Sequence, residues 1–147
     1  MASFEQQVAA FARKANKNID KTMRAVSIKL FGAIIDASPV GQYTDGRVGG
    51  RFRANWQASG AVPIATTVSG TANPKNEVAG TVASMASAKE FTLSNNLPYA
   101  AVIEFGGYPG DGPNTVGGFS KQAPQGVVRV NTIRFQRLLD EAARENQ

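Results

Sequence analysis

Four carboxylates could in principle converge on one site: Asp45, Glu90, Glu104 and Asp111. Two acids held a few ångströms apart can hydrolyse a glycoside, one as proton donor and the other as base or nucleophile. Nothing in the spacing of these four indicates such a pair, and a serine–lysine dyad is equally unconstrained. The chain contains no histidine and no cysteine. It therefore lacks the usual zinc, haem, iron–sulfur and copper ligands, together with the commonest general base and the thiol nucleophile. Only carboxylates, lysines and hydroxyls remain for chemistry, and the expectation is a protein that is not an enzyme and carries no cofactor. The glycine loops do not change this. "GRVGGR" lacks the lysine–serine or lysine–threonine ending of a phosphate-binding loop, and "GDGPNTVGG" matches neither that pattern nor the dinucleotide fingerprint.

Glu104 stands out among the acids because it closes a short apolar run in "NNLPYAAVIEFGG" and is followed at once by Phe105 and two glycines. If "PYAAVIEFG" forms a helical turn or two, Val102 and Phe105 face the core and Glu104 sits near the C-terminal end. An unpaired anion is unfavourable there, beside the negative pole of the helix. The expectation is a structural clasp with a guanidinium, for which Arg51, Arg53 and Arg129 are the candidates. An arginine can hold a carboxylate through two parallel hydrogen bonds, and such a pair can lock the subunit internally or span two subunits. Trp56 is expected in the core. Tyr99, beside a turn and Pro98, suits either a core or an interface.

These residues must be positioned by the surrounding elements. Ser3 and Gln6 make a capping-box pattern, after which Phe4, Val8, Phe11, Ala15, Ile19, Met23, Val26, Leu30 and Ile34 recur at spacings of three and four. One long amphipathic helix follows, ending before Pro39, a rod of roughly 50 Å. It either lies across the whole domain or extends beyond it to pack on a neighbouring subunit. Arg13, Lys14, Lys17, Lys21 and Arg24 make its outer side basic. A solvated face accounts for them without invoking bound phosphate, and no aromatic residues are interleaved with the lysines.

Beyond "SPVGQYTDGRVGG", the stretch "RFRANWQA" alternates, with Phe52, Ala54 and Trp56 on one face and Arg51, Arg53 and Asn55 on the other, and reads as a strand. "AVPIATTV" reads as a second strand, confined to an edge by Pro63. Asn73 and Pro74 open a short helix with a Val78, Val82, Met85 stripe, and "EFTLSN" is a third strand with Phe91 and Leu93 inward. Asn95 and Asn96 turn the chain, Pro98 starts a short helical segment, and Gly106 or Gly107 ends it. "GGYPGDGPNTVGGFSKQ" has no usable period and reads as a long loop. Pro124 restarts order, and Val128, Thr132, Phe135, Leu139 and Ala142 line one side of a C-terminal helix that frays at "ENQ". The sum is an α+β fold in which a long N-terminal and a C-terminal helix pack on a small, mainly antiparallel sheet, with long glycine-rich loops.

A chain of 147 residues fits a single domain spanning 1–147, and 42% apolar against 18% charged residues suits a globular rather than disordered chain. The N-terminus carries Glu5 and no basic segment leading into an apolar one, which argues against a secretory signal, and no apolar run nears the roughly 18 residues of a membrane span. The expected setting is the cytoplasm or a soluble assembly, with no membrane partner. A net charge of +5 permits attraction to nucleic acid or acidic protein surfaces.

"SPVG" (Ser38 to Gly41), "GRFRANW" (Gly50 to Trp56), "NNLPYAAVIEFGG" (Asn95 to Gly107) and "APQGVVR" (Ala123 to Arg129), in this order and spacing, resemble the Hong Kong 97-type tail-component family of long-tailed bacteriophages. Its members are described as neck, tail-completion or head-to-tail joining proteins. The segment "QYTDGRVGG" is longer here than the short turn usual in that family. The resemblance implies an α+β virion subunit assembled in the host cytoplasm into a homo-oligomeric ring, commonly a hexamer, at the head-proximal end of the tail. Its neighbours there would be tail-terminator or tail-tube and head-completion or connector proteins, with DNA passing through the channel without sequence-specific binding. Loops 41–50 and 106–122 are the candidates for ordering on assembly. The alternative reading is a small basic nucleic-acid-binding protein, whose affinity would fall steeply with salt.

Overall fold

The computed structural model describes residues 3–145, the side chains of residues 136, 138, 142 and 143 aside. Its architecture is α+β: a long helix α1 (Phe4–Ala37), then α2 (Arg51–Ala54), β1 (Gln57–Ser59), α3 (Lys75–Ser84), β2 (Thr92–Ser94), α4 (Ala100–Phe105), β3 (Thr115–Val116), β4 (Phe119–Ser120), α5 (Val128–Thr132) and α6 (Phe135–Glu145). The strands form two separate antiparallel pairs, β1 with β2 and β3 with β4. Ala58 lies opposite Leu93, and Val116 opposite Phe119.

The capping box at the start of α1 is formed in both directions: Gln6 N–H donates to Ser3 Oγ and Ser3 N–H to Gln6 Oε1. At the other end Ser38, in extended conformation ahead of Pro39, closes the helix. The C-terminal half of α1 supplies one wall of the core through Val26, Phe31, Ile34 and Ile35. Val78 and Val82 of α3, Phe52, Trp56, Ile103 and Val127 complete it. Ile35 and Val82 are fully buried, each removal from water being worth about 1.5–3 kcal/mol. Residues 4–14 are exposed throughout, and Phe4, Val8, Phe11 and Ile19 keep between 50% and 80% of their surface. Further along, Asp20 pairs with Lys89 at 2.7 Å and Arg24 donates to the Ala86 carbonyl at 2.8 Å, fixing the helix to the body. The first half of α1 is thus an arm of roughly 24 Å, at 1.5 Å per residue, with an apolar stripe left uncovered.

Several local expectations are corrected. Residues 51–54 form a helical turn, not a strand. Gly50 adopts a left-handed φ of 115°, and Ala54 N–H donates to the Gly50 carbonyl at 2.8 Å. Phe52 and Trp56 are four apart, so one helical turn places them on the same side, as a strand would; an even spacing of four satisfies both periods. Residues 61–68 make no strand. Side-chain amides, not a ladder, hold residues 64–68. Asn55 donates to the Val68 carbonyl and accepts from its N–H, Asn96 donates to the carbonyls of Ile64 and Thr66, and Gln57 also donates to Thr66.

The supposed loop after Gly107 contains the β3–β4 hairpin. Gly117 and Gly118 both have positive φ, 62° and 88°, the requirement of the two-residue turn that follows strand twist. The C-terminal helix is two helices, broken at Ile133 and Arg134. In α4, Ile103 and Glu104 are the buried residues, while Phe105, expected inside, is 67% exposed. Of the residues expected to line one side of that helix, Thr132 and Phe135 are exposed, whereas Leu139 packs at Val26. The side chain of Ala142 and the terminal Asn146 and Gln147 of "ENQ" lie outside the described residues.

Candidate functional site

The polar centre of the molecule is built by α4 and the segment entering α5. A helix leaves its first N–H groups without partners inside the helix. In α5 a carboxylate from another element takes them. Glu104 Oε2 accepts from Val127 N–H at 2.7 Å and Val128 N–H at 2.9 Å. Its Oε1 accepts from Arg129 N–H at 2.9 Å and Arg129 Nε at 3.1 Å. A further guanidinium N–H of Arg129 donates to the Glu104 carbonyl. The exposed face of Arg129 covers the Phe105 ring, 5.1 Å from its centroid.

Burial of Glu104 opposes ionisation. The N–H groups of Val128, Arg129 and Val127 and the Arg129 side chain outweigh it, holding the carboxyl below its ordinary pKa. With two donors on each oxygen, its acceptor positions are filled by the chain itself. A carboxylate so saturated, and ionised more readily than usual, is poorly suited to shuttle protons near neutral pH. Gly126 makes this approach possible. Its φ is 81°, and a Cβ there would lie 2.7 Å from both Oε2 and the carbonyl oxygen of Glu104.

Of the three candidate arginines, Arg129 is the partner of Glu104. Arg51 lies near Tyr99, and Arg53 has an Nε that is buried without a hydrogen-bond partner among the described residues. Trp56 is 7% exposed in the core, its ring 5.6 Å from Phe52 in an edge-on arrangement. Its indole Nε1 donates to Ser38 Oγ at 2.7 Å, and Ser38 Oγ donates to the Ile34 carbonyl at 2.8 Å. Tyr99 is half-buried, 6.4 Å from the Phe52 ring, and burial pushes its phenol pKa up against the pull of Arg51.

Of the other three candidate carboxylates two are engaged where they stand, and Glu90 is exposed. Asp45 is paired with Arg47 at 2.8 Å, and Asp111 accepts from the Gly117 N–H. Among the described residues no three acids gather as metal ligands do.

One arrangement escaped sequence reading. The segments 38–41, 50–56, 95–107 and 123–129 meet in space and are bonded to one another. Ser38 of the first accepts from Trp56 of the second, and Asn95 of the third donates to the Phe52 carbonyl of the second at 2.9 Å. Glu104 of the third holds Val127, Val128 and Arg129 of the fourth. Gln122, next to the fourth, pairs its amide with both the N–H and the carbonyl of Val40, each at 2.9 Å, closing the circuit. The available signal was chemical: buried-looking amide and hydroxyl residues beside apolar runs, each needing a backbone partner.

Comparison with known proteins adds no assignment: no family model matches the chain, and neither a curated protein nor a solved structure matches it significantly.

Proposed function

We propose that this chain is a structural subunit of a long-tailed bacteriophage virion, assembled in the host cytoplasm into a ring, sixfold in the form the resemblance implies. The ring sits at the head-proximal end of the tail, between tail-terminator or tail-tube proteins and head-completion or connector proteins, and DNA passes through its channel. The subunit performs no catalysis and requires no cofactor.

The observation that carries this reading is the arm of α1. Phe4, Val8, Phe11 and Ile19 present an apolar stripe to solvent on a helix anchored firmly from Asp20 onward. Contiguous exposed apolar surface of this kind marks an interface. A ring forms when one surface of a subunit binds a different surface of the next and the rotation closes; an arm reaching past its own body suits such a contact. The interlocked motif segments support the reading from another side, because they give the arm a rigid base.

The deciding measurement is the native mass of the full chain, purified and recovered from phage particles. A ring species in particles supports the proposal. A protein monomeric at every concentration and absent from any particle overturns it, and salt-dependent DNA binding by that monomer would favour the small basic nucleic-acid-binding alternative.

A further inference from the structure

All three tyrosines of the chain, Tyr43, Tyr99 and Tyr108, line one groove of about 750 Å³, together with Arg47 and Arg51. The groove lies between the 41–50 loop and the β3–β4 hairpin, with Phe52 and Ile103 at its floor. Gln122, bonded to Val40, ties its two sides together. No carboxylate is among the residues lining it. The carbonyl of Arg51 accepts from the Asn55 side chain, but its guanidinium makes no hydrogen bond or ion pair among the described residues and is available. Arg47 already stacks over the Tyr43 ring at 4.2 Å, its Nε shared with Asp45. That ion pair is solvent-exposed on both sides, and exposed pairs are weak enough to be exchanged for another anion.

The groove therefore offers aromatic faces and cations with no opposing negative charge on its walls, in a protein of net charge +5. Side-chain amides at Gln42 and Asn114 add hydrogen-bonding groups that can meet base edges. Bases need only flat rings to lie against, and every base has such a face. We propose that this groove is a binding site for single-stranded nucleic acid, with bases stacked on the tyrosine rings and phosphates held by Arg51 and Arg47. The site stands apart from the ring reading and requires neither the arm nor an oligomer.

The test uses the full chain and a fluorescein-labelled oligothymidylate of about 15 nucleotides, read by anisotropy at about 50 mM salt. Tyr43→Ala and Arg51→Gln, both at exposed positions, are each expected to weaken binding about tenfold, with folding checked by circular dichroism. Lys14→Gln with Lys17→Gln, on the arm, is expected to leave binding within about twofold, because those lysines lie outside the groove. Duplex DNA of the same sequence is expected to bind more weakly. The proposal is overturned if the wild-type chain does not bind the oligonucleotide. It is equally overturned if the groove variants bind like wild type while the arm variant does not, or if duplex DNA or a proline-rich peptide competes as well as the single strand.

Discussion

Arg129 donates to Glu104 three times, through its backbone N–H, its Nε and a terminal guanidinium nitrogen, the last reaching the Glu104 carbonyl. Two elements far apart in sequence are joined by one carboxylate that acts at once as ion-pair partner and as cap for α5. Glu104→Gln keeps the shape but removes the charge, and it turns an acceptor oxygen into an NH₂ group facing N–H donors. The expected cost is about 2–3 kcal/mol of folding stability, measured by urea unfolding. A variant unfolding at the wild-type midpoint would show that the clasp contributes little.

The same contact sets an acid limit. The carboxyl pKa of Glu104 is lower in the folded protein than in the unfolded chain, where it is about 4.3. Its contribution is therefore complete above that unfolded value and is lost as pH falls through the lower folded value. Thermal melts taken from about pH 6 down to about pH 3 should show wild-type stability dropping toward that of Glu104→Gln, the two curves converging at the acid end. Parallel curves would assign the acid sensitivity to other carboxylates.

Gly126 has no acceptable substitute. Alanine there would have to hold a left-handed φ and place a methyl group against both the carboxylate and the carbonyl of Glu104. Gly126→Ala is expected to cost about 3 kcal/mol or more, and to remove most of the effect of adding Glu104→Gln in a double-mutant cycle. Additive losses would show that the glycine serves only its own turn.

Ser38→Ala leaves the Trp56 indole N–H buried without an acceptor and removes the hydroxyl bond to the Ile34 carbonyl. The expected loss is about 1–3 kcal/mol by urea unfolding, together with a change in tryptophan fluorescence, since Trp56 is the single tryptophan of the chain. Unchanged emission and stability would mean that another acceptor takes the proton.

Phe4→Asp with Phe11→Asp alters residues that are 80% and 75% exposed. Monomer stability should stay within about 0.5 kcal/mol, while the higher-mass species that the ring proposal expects in native mass spectrometry should be absent. An intact assembly in that double variant would remove the arm from the interface.

Parts of this organisation were legible in the residues. The capping box, the three-and-four spacing up to Pro39, the Val78–Val82 stripe and the glycine that stops α4 all depend on interactions within a few residues, and each produced the expected element. What failed depended on distant partners or ambiguous periods. Phe52 and Trp56 satisfy a strand and a helical turn equally. Residues 61–68 look like a strand by their residue types, but the partners of 64–68 are the side chains of Asn55, Gln57 and Asn96. Gly117 and Gly118 flanked by Val116 and Phe119 did carry a hairpin signal, obscured by the polar, glycine-rich run around it. Glu104 was legible as an acid in need of donors, and Arg129 as one of three arginines. The N–H groups of Val127 and Val128 were not, because backbone donors leave no mark on residue type.

The amide clamps on residues 64–68 have a consequence for solubility. Alternate carbonyls of that segment, those of Ile64, Thr66 and Val68, are already engaged by asparagine and glutamine side chains. An unpaired extended edge is a template for recruiting foreign chains and a starting point for fibrils. Here those carbonyls are occupied before any foreign strand can add, so one route to uncontrolled aggregation is closed.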